Sequence, residues 1–229
     1  MKGRARPALR DGAVLLGLAL YALPFFWQVL TSLKPEAELM RLPPLLPSRI
    51  SWEHYQVVLE RSFMLRALVN SLGVGLLTTA LALALGLAAA YGFARFPVPG
   101  KGPLLLAIVA GTAFPQIATV SPLYLLMRAL GLRDTWLGLI LANTSFALPL
   151  VVWLLVGFIR DLPLALEEAA AVDGAGRLQT FQWVVLPLVA PGLASAALLT
   201  FLFSWNEFLF AYTFTATGAV RLAAVAVKV

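Results

Sequence analysis

The stretch 167-EEAAAVDGAGRLQTFQWVVLPL-188 interrupts a chain that is otherwise largely apolar. With the two residues at the end of the preceding apolar run, the region carries charges at Arg160, Asp161, Glu167, Glu168, Asp173 and Arg177. At roughly 2.5 kcal/mol or more per charge, placing this set at the centre of a bilayer costs on the order of 15 kcal/mol, so the segment lies outside the hydrocarbon. Asp161 is positioned to cap a helix with Pro163 in its first turn, "LALEEAAAV" has high helical propensity, and Gly174 with Gly176 ends that helix. "RLQTFQWVVL" then starts a second helix running toward Pro187. Ala169, Ala170 and Ala171 offer little bulk to an approaching surface, while Glu168 and Asp173 supply charged handles. This is the shape of a docking element between two apolar stretches.

Composition sets the class in which that element operates. The chain has 229 residues, 61% of them hydrophobic and 12% charged, and a mean hydropathy of +0.88, far from the balance of a soluble domain. An all-α, polytopic transmembrane bundle is expected. Five stretches reach the ~20 apolar residues that a crossing helix takes, near 12–33, 67–93, 103–127, 137–159 and 187–213. The first follows Lys2, Arg4, Arg6 and Arg10; it is too long for a signal-peptide core and lacks an Ala-x-Ala site, so it is expected to stay as an anchor. That basic cluster favours a cytoplasmic amino terminus. Within a single transmembrane domain over 1–229, residues 34–66 then form an extracytoplasmic loop and 160–186 a cytoplasmic one.

The net charge of +6 is carried mainly at the ends of apolar stretches, which suits headgroup anchoring to the lipid bilayer rather than a nucleic-acid partner. Cysteine is absent, and the single histidine, His54, reads as an exposed polar residue of the 34–66 loop rather than a ligand or base. Pro43, Pro44 and Pro47 forbid a continuous helix there, while "SWEHYQVVLE" suits a short one. In the second span Ala82, Gly86 and Ala90 recur at four-residue spacing, as do Ala84, Ala88 and Gly92, so neighbouring helices can approach closely.

Polar groups at membrane depth mark a candidate path. Thr112, Gln116 and Thr119 share one face of a helix bent by Pro115 and Pro122, and that face is expected to look inward. Asn143, Thr144 and Ser145 lie in the fourth span and Asn206 with Glu207 in the fifth; Glu207 falls about 30 Å along a helix from Pro187, near the outer interface. Hydroxyls and amides beside Tyr124 and Trp205 suit an uncharged, polyhydroxylated solute. The same groups serve as hydrogen-bonding glue between helices, and the sequence leaves both readings open.

Glu168, Ala169, Ala170 and Gly174, followed by Val184, Leu186 and Pro187, resemble the E-A-A-x-x-x-G and I-x-L-P signature of ABC importer permease subunits. "SLKPEAEL", "PPLLPSRISWEHY", "NSLGVG", "AAYGFARF", "LGLRDTWLGLIL" and "SWNEFLFAYTF" are similar to stretches of the maltose-type, carbohydrate-importing branch, so the resemblance covers about residues 12–215. It implies an ATP-driven, binding-protein-dependent importer in the cytoplasmic (inner) membrane of a prokaryote. Partners implied are an ABC ATPase dimer, a second permease subunit and an extracytoplasmic solute-binding protein. Glu168, Ala169, Ala170, Asp173, Gly174, Leu186 and Pro187 would be the residues coupling to the ATPase. By the same resemblance a sixth span is expected, and the apolar run after Arg221 is too short to supply it.

No catalytic residue, metal or cofactor is implied. The chain has no G-x-x-x-x-G-K-[ST] phosphate loop and no H-E-x-x-H, so it is not expected to hydrolyse ATP, which the resemblance assigns to a separate ATPase subunit. An ATP-independent secondary transporter would want ionisable groups near the midplane, and an intramembrane enzyme a nucleophile with its base. Apart from Glu207 the spans offer almost none.

Overall fold

In hydrocarbon every backbone N–H and C=O must find its partner within the segment, so the long apolar runs of this chain form helices. The computed structural model describes residues 5–39, 46–60, 62–216 and 220–226; among them there are helices and turns and no strand. Among the described residues four helices are long and apolar enough to cross a membrane, or five if one sharply bent pair counts as a single span. The chain divides into two compact units, Met1–Ser62 and Phe63–Val229.

The first unit contains α1 (Ala5–Ser32), α2 (Glu36–Leu39) and α3 (Glu53–Glu60). The apolar part of α1 is Arg10–Ser32, and its leucines and aromatics are largely exposed. Lys2, Arg4, Pro43 and Pro44 lie outside the described residues. Lys34 is fully buried, with its Nζ 4.5 Å from the centroid of the Trp27 ring. His54 is not the free polar residue expected from sequence: it is half-buried, and its Nε2–H donates to the Lys34 carbonyl at 3.0 Å. With Ser51 N–H donating to Leu33 O at 2.9 Å, it ties the start of α3 to the end of α1.

The second unit is built on three long helices. They are α4 (Ser62–Arg95), α7 (Trp136–Arg160) and the continuous run Arg177–Asn206, made of α9 (Arg177–Thr180), a π-helical turn (Phe181–Val185) and α10 (Leu186–Asn206). Phe158 meets Gly192 and Asn143 meets Ser204, so α10 runs antiparallel to α7. One apolar core joins Ala82 and Ala90 of α4, Val151 to Ile159 of α7, and Val185, Val189 and Ala196 of the last run. The stripe Ala82, Gly86, Ala90 therefore packs within the chain; a Cβ on Gly86 would stand 2.5 Å from Val151 Cγ1. Ala84 and Ala88 of the second stripe stay exposed.

Two spans differ from the sequence expectation. The third, expected over 103–127, is broken into α5 (Lys101–Ala110) with a 3-10 turn at Gly111–Ala113, and α6 (Gln116–Ala129), bent by 95°. The cause is Pro115, which pushes the preceding Phe114 into an extended conformation (ψ 126°) and ends the turn there. The fifth, expected over 187–213, begins ten residues earlier and stops at Asn206. Pro187 lacks an N–H, and the helix passes through it because the widened π turn just before absorbs the missing bond.

Beyond Asn206 the chain turns back as α11 (Leu209–Phe214) and α12 (Ala223–Ala226). Phe210, Phe214, Leu222 and Val225 are buried against Val74 and Leu139, at the end of the bundle where α4 and α7 begin. Asp134 N–H donates to Phe214 O at 3.0 Å, and Ala223 N–H to Ser71 Oγ at 2.8 Å. If the α4–α7 contact sets this packing, Gly86→Val should destabilise the bundle by about 1–3 kcal/mol through overpacking, read as a lowered unfolding midpoint in detergent.

Candidate functional site

The connection between α7 and the last run forms α8 (Ala165–Val172). Its start is not capped by Asp161 as the sequence suggested. Asp161 closes α7 instead, its N–H donating to Gly157 O, and Pro163 and Leu164 set the first turn of α8 beyond its reach. The carboxyl end is a complete Schellman closure, with Gly174 N–H on Ala171 O at 3.1 Å and Ala175 N–H on Ala170 O at 2.9 Å. Gly174 has φ +87°, a conformation that L side chains rarely adopt. The Gln179 side chain accepts from Gly176 N–H at 2.8 Å and starts α9.

Glu168, Ala169, Asp173 and Gly174 are exposed, Ala170 is half-buried, and Val172 is 87% exposed. A shallow cavity of about 290 Å³ beside them is lined by Asp173, Gly174, Gln179 and Trp183. Leu186 is half-buried and Pro187 exposed, both on the first turn of α10 rather than at the loop surface. Glu167 turns to the bundle: its carboxylate pairs with Arg95 Nε and accepts from the Tyr91 hydroxyl at 2.9 Å. Sequence reasoning missed this anchor. The partners are 72 and 76 residues away, and two adjacent glutamates give no sign of which one faces inward.

The polar residues expected along a path fall into separate groups. Gln116, Asn206 and Glu207 line one open cavity of about 600 Å³ with Leu199, Leu202 and Phe203. Gln116 Nε2 is buried there without a hydrogen-bond partner. Thr112 does not share their helix face, because the break at Pro115 intervenes; its hydroxyl donates back to Val109 O at 2.7 Å. Thr119 similarly donates to Gln116 O at 2.7 Å. Asn143 is fully buried and donates to Ser204 Oγ at 3.2 Å, joining α7 to α10.

Glu207 is 5% exposed, and its carboxylate accepts from Phe210 N–H at 2.8 Å and Ala211 N–H at 3.0 Å. It thus caps α11 and fixes the turn that ends α10. Glu207→Ala should remove a cap of about 1 kcal/mol and free residues 207–216, seen as faster backbone hydrogen exchange across α11 with α7 unchanged.

With this geometry in hand, the chain can be set beside known proteins. The family profile "Binding-protein-dependent transport system inner membrane component" matches residues 82–227. The chain is 44% identical over 214 residues to the trehalose transport system permease protein SugB of Mycobacterium tuberculosis, covering 93% of this chain and 77% of that one. It is 32% identical over 212 residues to the trehalose/maltose transport system permease protein MalG of Thermococcus litoralis, covering 92% and 76%. A crystal structure of a bacterial ABC transporter involved in the import of the acidic polysaccharide alginate superposes with a TM-score of 0.83 at 24% identity, covering 100% of this chain and 81% of that one, and shows the same fold. This chain belongs to the binding-protein-dependent transport system inner membrane components, as a multi-pass permease of the carbohydrate-importer type.

Proposed function

We propose that this permease is one of two membrane subunits of an ATP-driven importer and that α8, with the Gly174 turn, is where a separate ATPase dimer engages it. The observation that carries the reading is the exposed Glu168 on a short helix closed by its own backbone bonds and by a positive-φ glycine. Val172, at the end of the same helix, is 87% exposed and adds an apolar side chain that a partner can cover. Ala169 and Ala170 let a partner come close to the helix backbone. With this loop in the cytoplasm, the amino terminus lies on the same side and a solute-binding protein delivers cargo from the other.

The cargo fits an uncharged sugar. Gln116 and Asn206 bring side-chain amides to the cavity, beside Glu207, whose carboxylate is taken up by the backbone N–H groups of Phe210 and Ala211; amide oxygens in such a wall suit hydroxyl groups, and two relatives carry trehalose in their names. Trehalose is therefore the first solute to test.

The chain would be co-expressed with the ATPase and second permease of its transport system, and ATP hydrolysis followed with and without trehalose-loaded binding protein. The wild type should retain the ATPase and respond to trehalose. Juxtaposing like charges across an interface costs several kcal/mol, so Glu168→Lys should weaken ATPase retention by roughly 30-fold or more. Gly174→Pro removes the N–H bonded to Ala171 O and cannot adopt φ +87°, and should do the same. A wild type that holds no ATPase, or retention unchanged in both variants, overturns the reading.

A further inference from the structure

Presenting Glu168 and holding α8 to the bundle are separate tasks in this fold. The helix is closed by its own backbone and by Gly174, so Glu168 would face solvent with or without a tether. Yet the preceding residue, Glu167, directs its carboxylate to α4, and among the described residues it is the α8 side chain whose hydrogen bonds leave the helix. Arg95 pairs with it through Nε and donates from Nη2 to Leu162 O at 3.0 Å; Tyr91, one turn earlier on α4, adds its hydroxyl to the other carboxylate oxygen. The two charged side chains are 12% and 13% exposed, so removing either partner leaves the other with little water to replace it.

The surroundings make the junction stiff. The Tyr91 ring meets Phe181 of the π turn edge-on at 4.9 Å between centroids and Phe96 at 6.0 Å, and the Arg177 guanidinium lies 5.7 Å from the Phe96 ring centroid. From this junction α4 runs the length of the bundle. At its other end Gly75 lies against Phe201, and Ser71 accepts from Ala223 N–H.

We propose that the Arg95–Glu167 pair is a strut that delivers displacement of α8 to α4, which makes both of them positioning residues for the coupling of ATP hydrolysis to transport. The inference rests on the reading that α8 engages the ATPase. It assigns docking to Glu168 and transmission to its neighbour, and the two roles separate experimentally.

The test is a double-mutant cycle on the purified complex, using the same trehalose probe and scoring ATPase retention apart from trehalose-stimulated hydrolysis. Arg95→Gln and Glu167→Gln should each keep the ATPase bound and lose about tenfold of the stimulation, inside the span of typical coupling between sites. The double variant should lose no more than the worse single, because both remove one interaction, whereas independent effects would multiply to about a hundredfold. Arg95→Lys keeps the charge opposite Glu167 but not the forked donors that also reach Leu162 O, so it should recover part of the stimulation, more than Arg95→Gln and less than wild type. Wild-type stimulation in the single variants, multiplicative losses, or release of the ATPase as severe as in Glu168→Lys would each overturn the strut. Failure of the docking reading is distinct: there the wild type holds no ATPase, or Glu168→Lys holds it unchanged.

Discussion

The second unit depends on how closely α7 can be approached. Val151 sits over Gly86 of α4, and Phe158 lies where a Cβ on Gly192 of α10 would be, 2.5 Å from its ring. Lipid tails are as apolar as these side chains, so burying them gains little from water exclusion, and helices in a bilayer associate through tight van der Waals packing instead. Glycine and alanine at the crossing points make that packing possible. The parallel run of α4 and α7, the antiparallel return of α10, and the meeting of loop and helix ends at Arg95 follow from those crossings.

Much of this architecture was legible in the sequence because membrane crossing is a one-dimensional constraint. The spans at 67–93 and 137–159 lie within one to five residues of the helix ends, Ser62–Arg95 and Trp136–Arg160. The Gly174 turn was readable because glycine after a run of good helix formers has few other uses. What hydropathy cannot see is local backbone competition. Pro115 breaks the third span although both flanks are apolar, and Glu207 ends the fifth by taking the N–H groups of Phe210 and Ala211 for its carboxylate. Pro187 misleads in the other direction, because a π turn lets the helix run through it.

The candidate site was legible by type and less so by company. Glu168, Ala169 and Ala171 are exposed, whereas Ala170 is half-buried. The polar residues of the spans divide between cavity wall, backbone return and interhelical bond, and no feature of the sequence sorts Gln116 from Asn143. The distinction is three-dimensional: Asn143 faces Ser204 across a helix contact, while Gln116 sits at a helix start opened by the proline break. The Arg95–Glu167 pair is harder still, since a charge in one loop can answer any opposite charge that the fold brings near it.

The run Arg177–Asn206 has one further implication. It begins at the turn after α8 and ends at Asn206 on the cavity wall, about 45 Å away at the helical rise per residue, without a loop in between. The exposed loop and the cavity therefore share one axle. Its winding departs from the α-helical at Phe181–Val185, the π turn before Pro187, and Pro191 follows within α10. The α8 turn and the cavity wall are thus opposite ends of one helical element, and its packing against α7 at Phe158 and Gly192 lies between them.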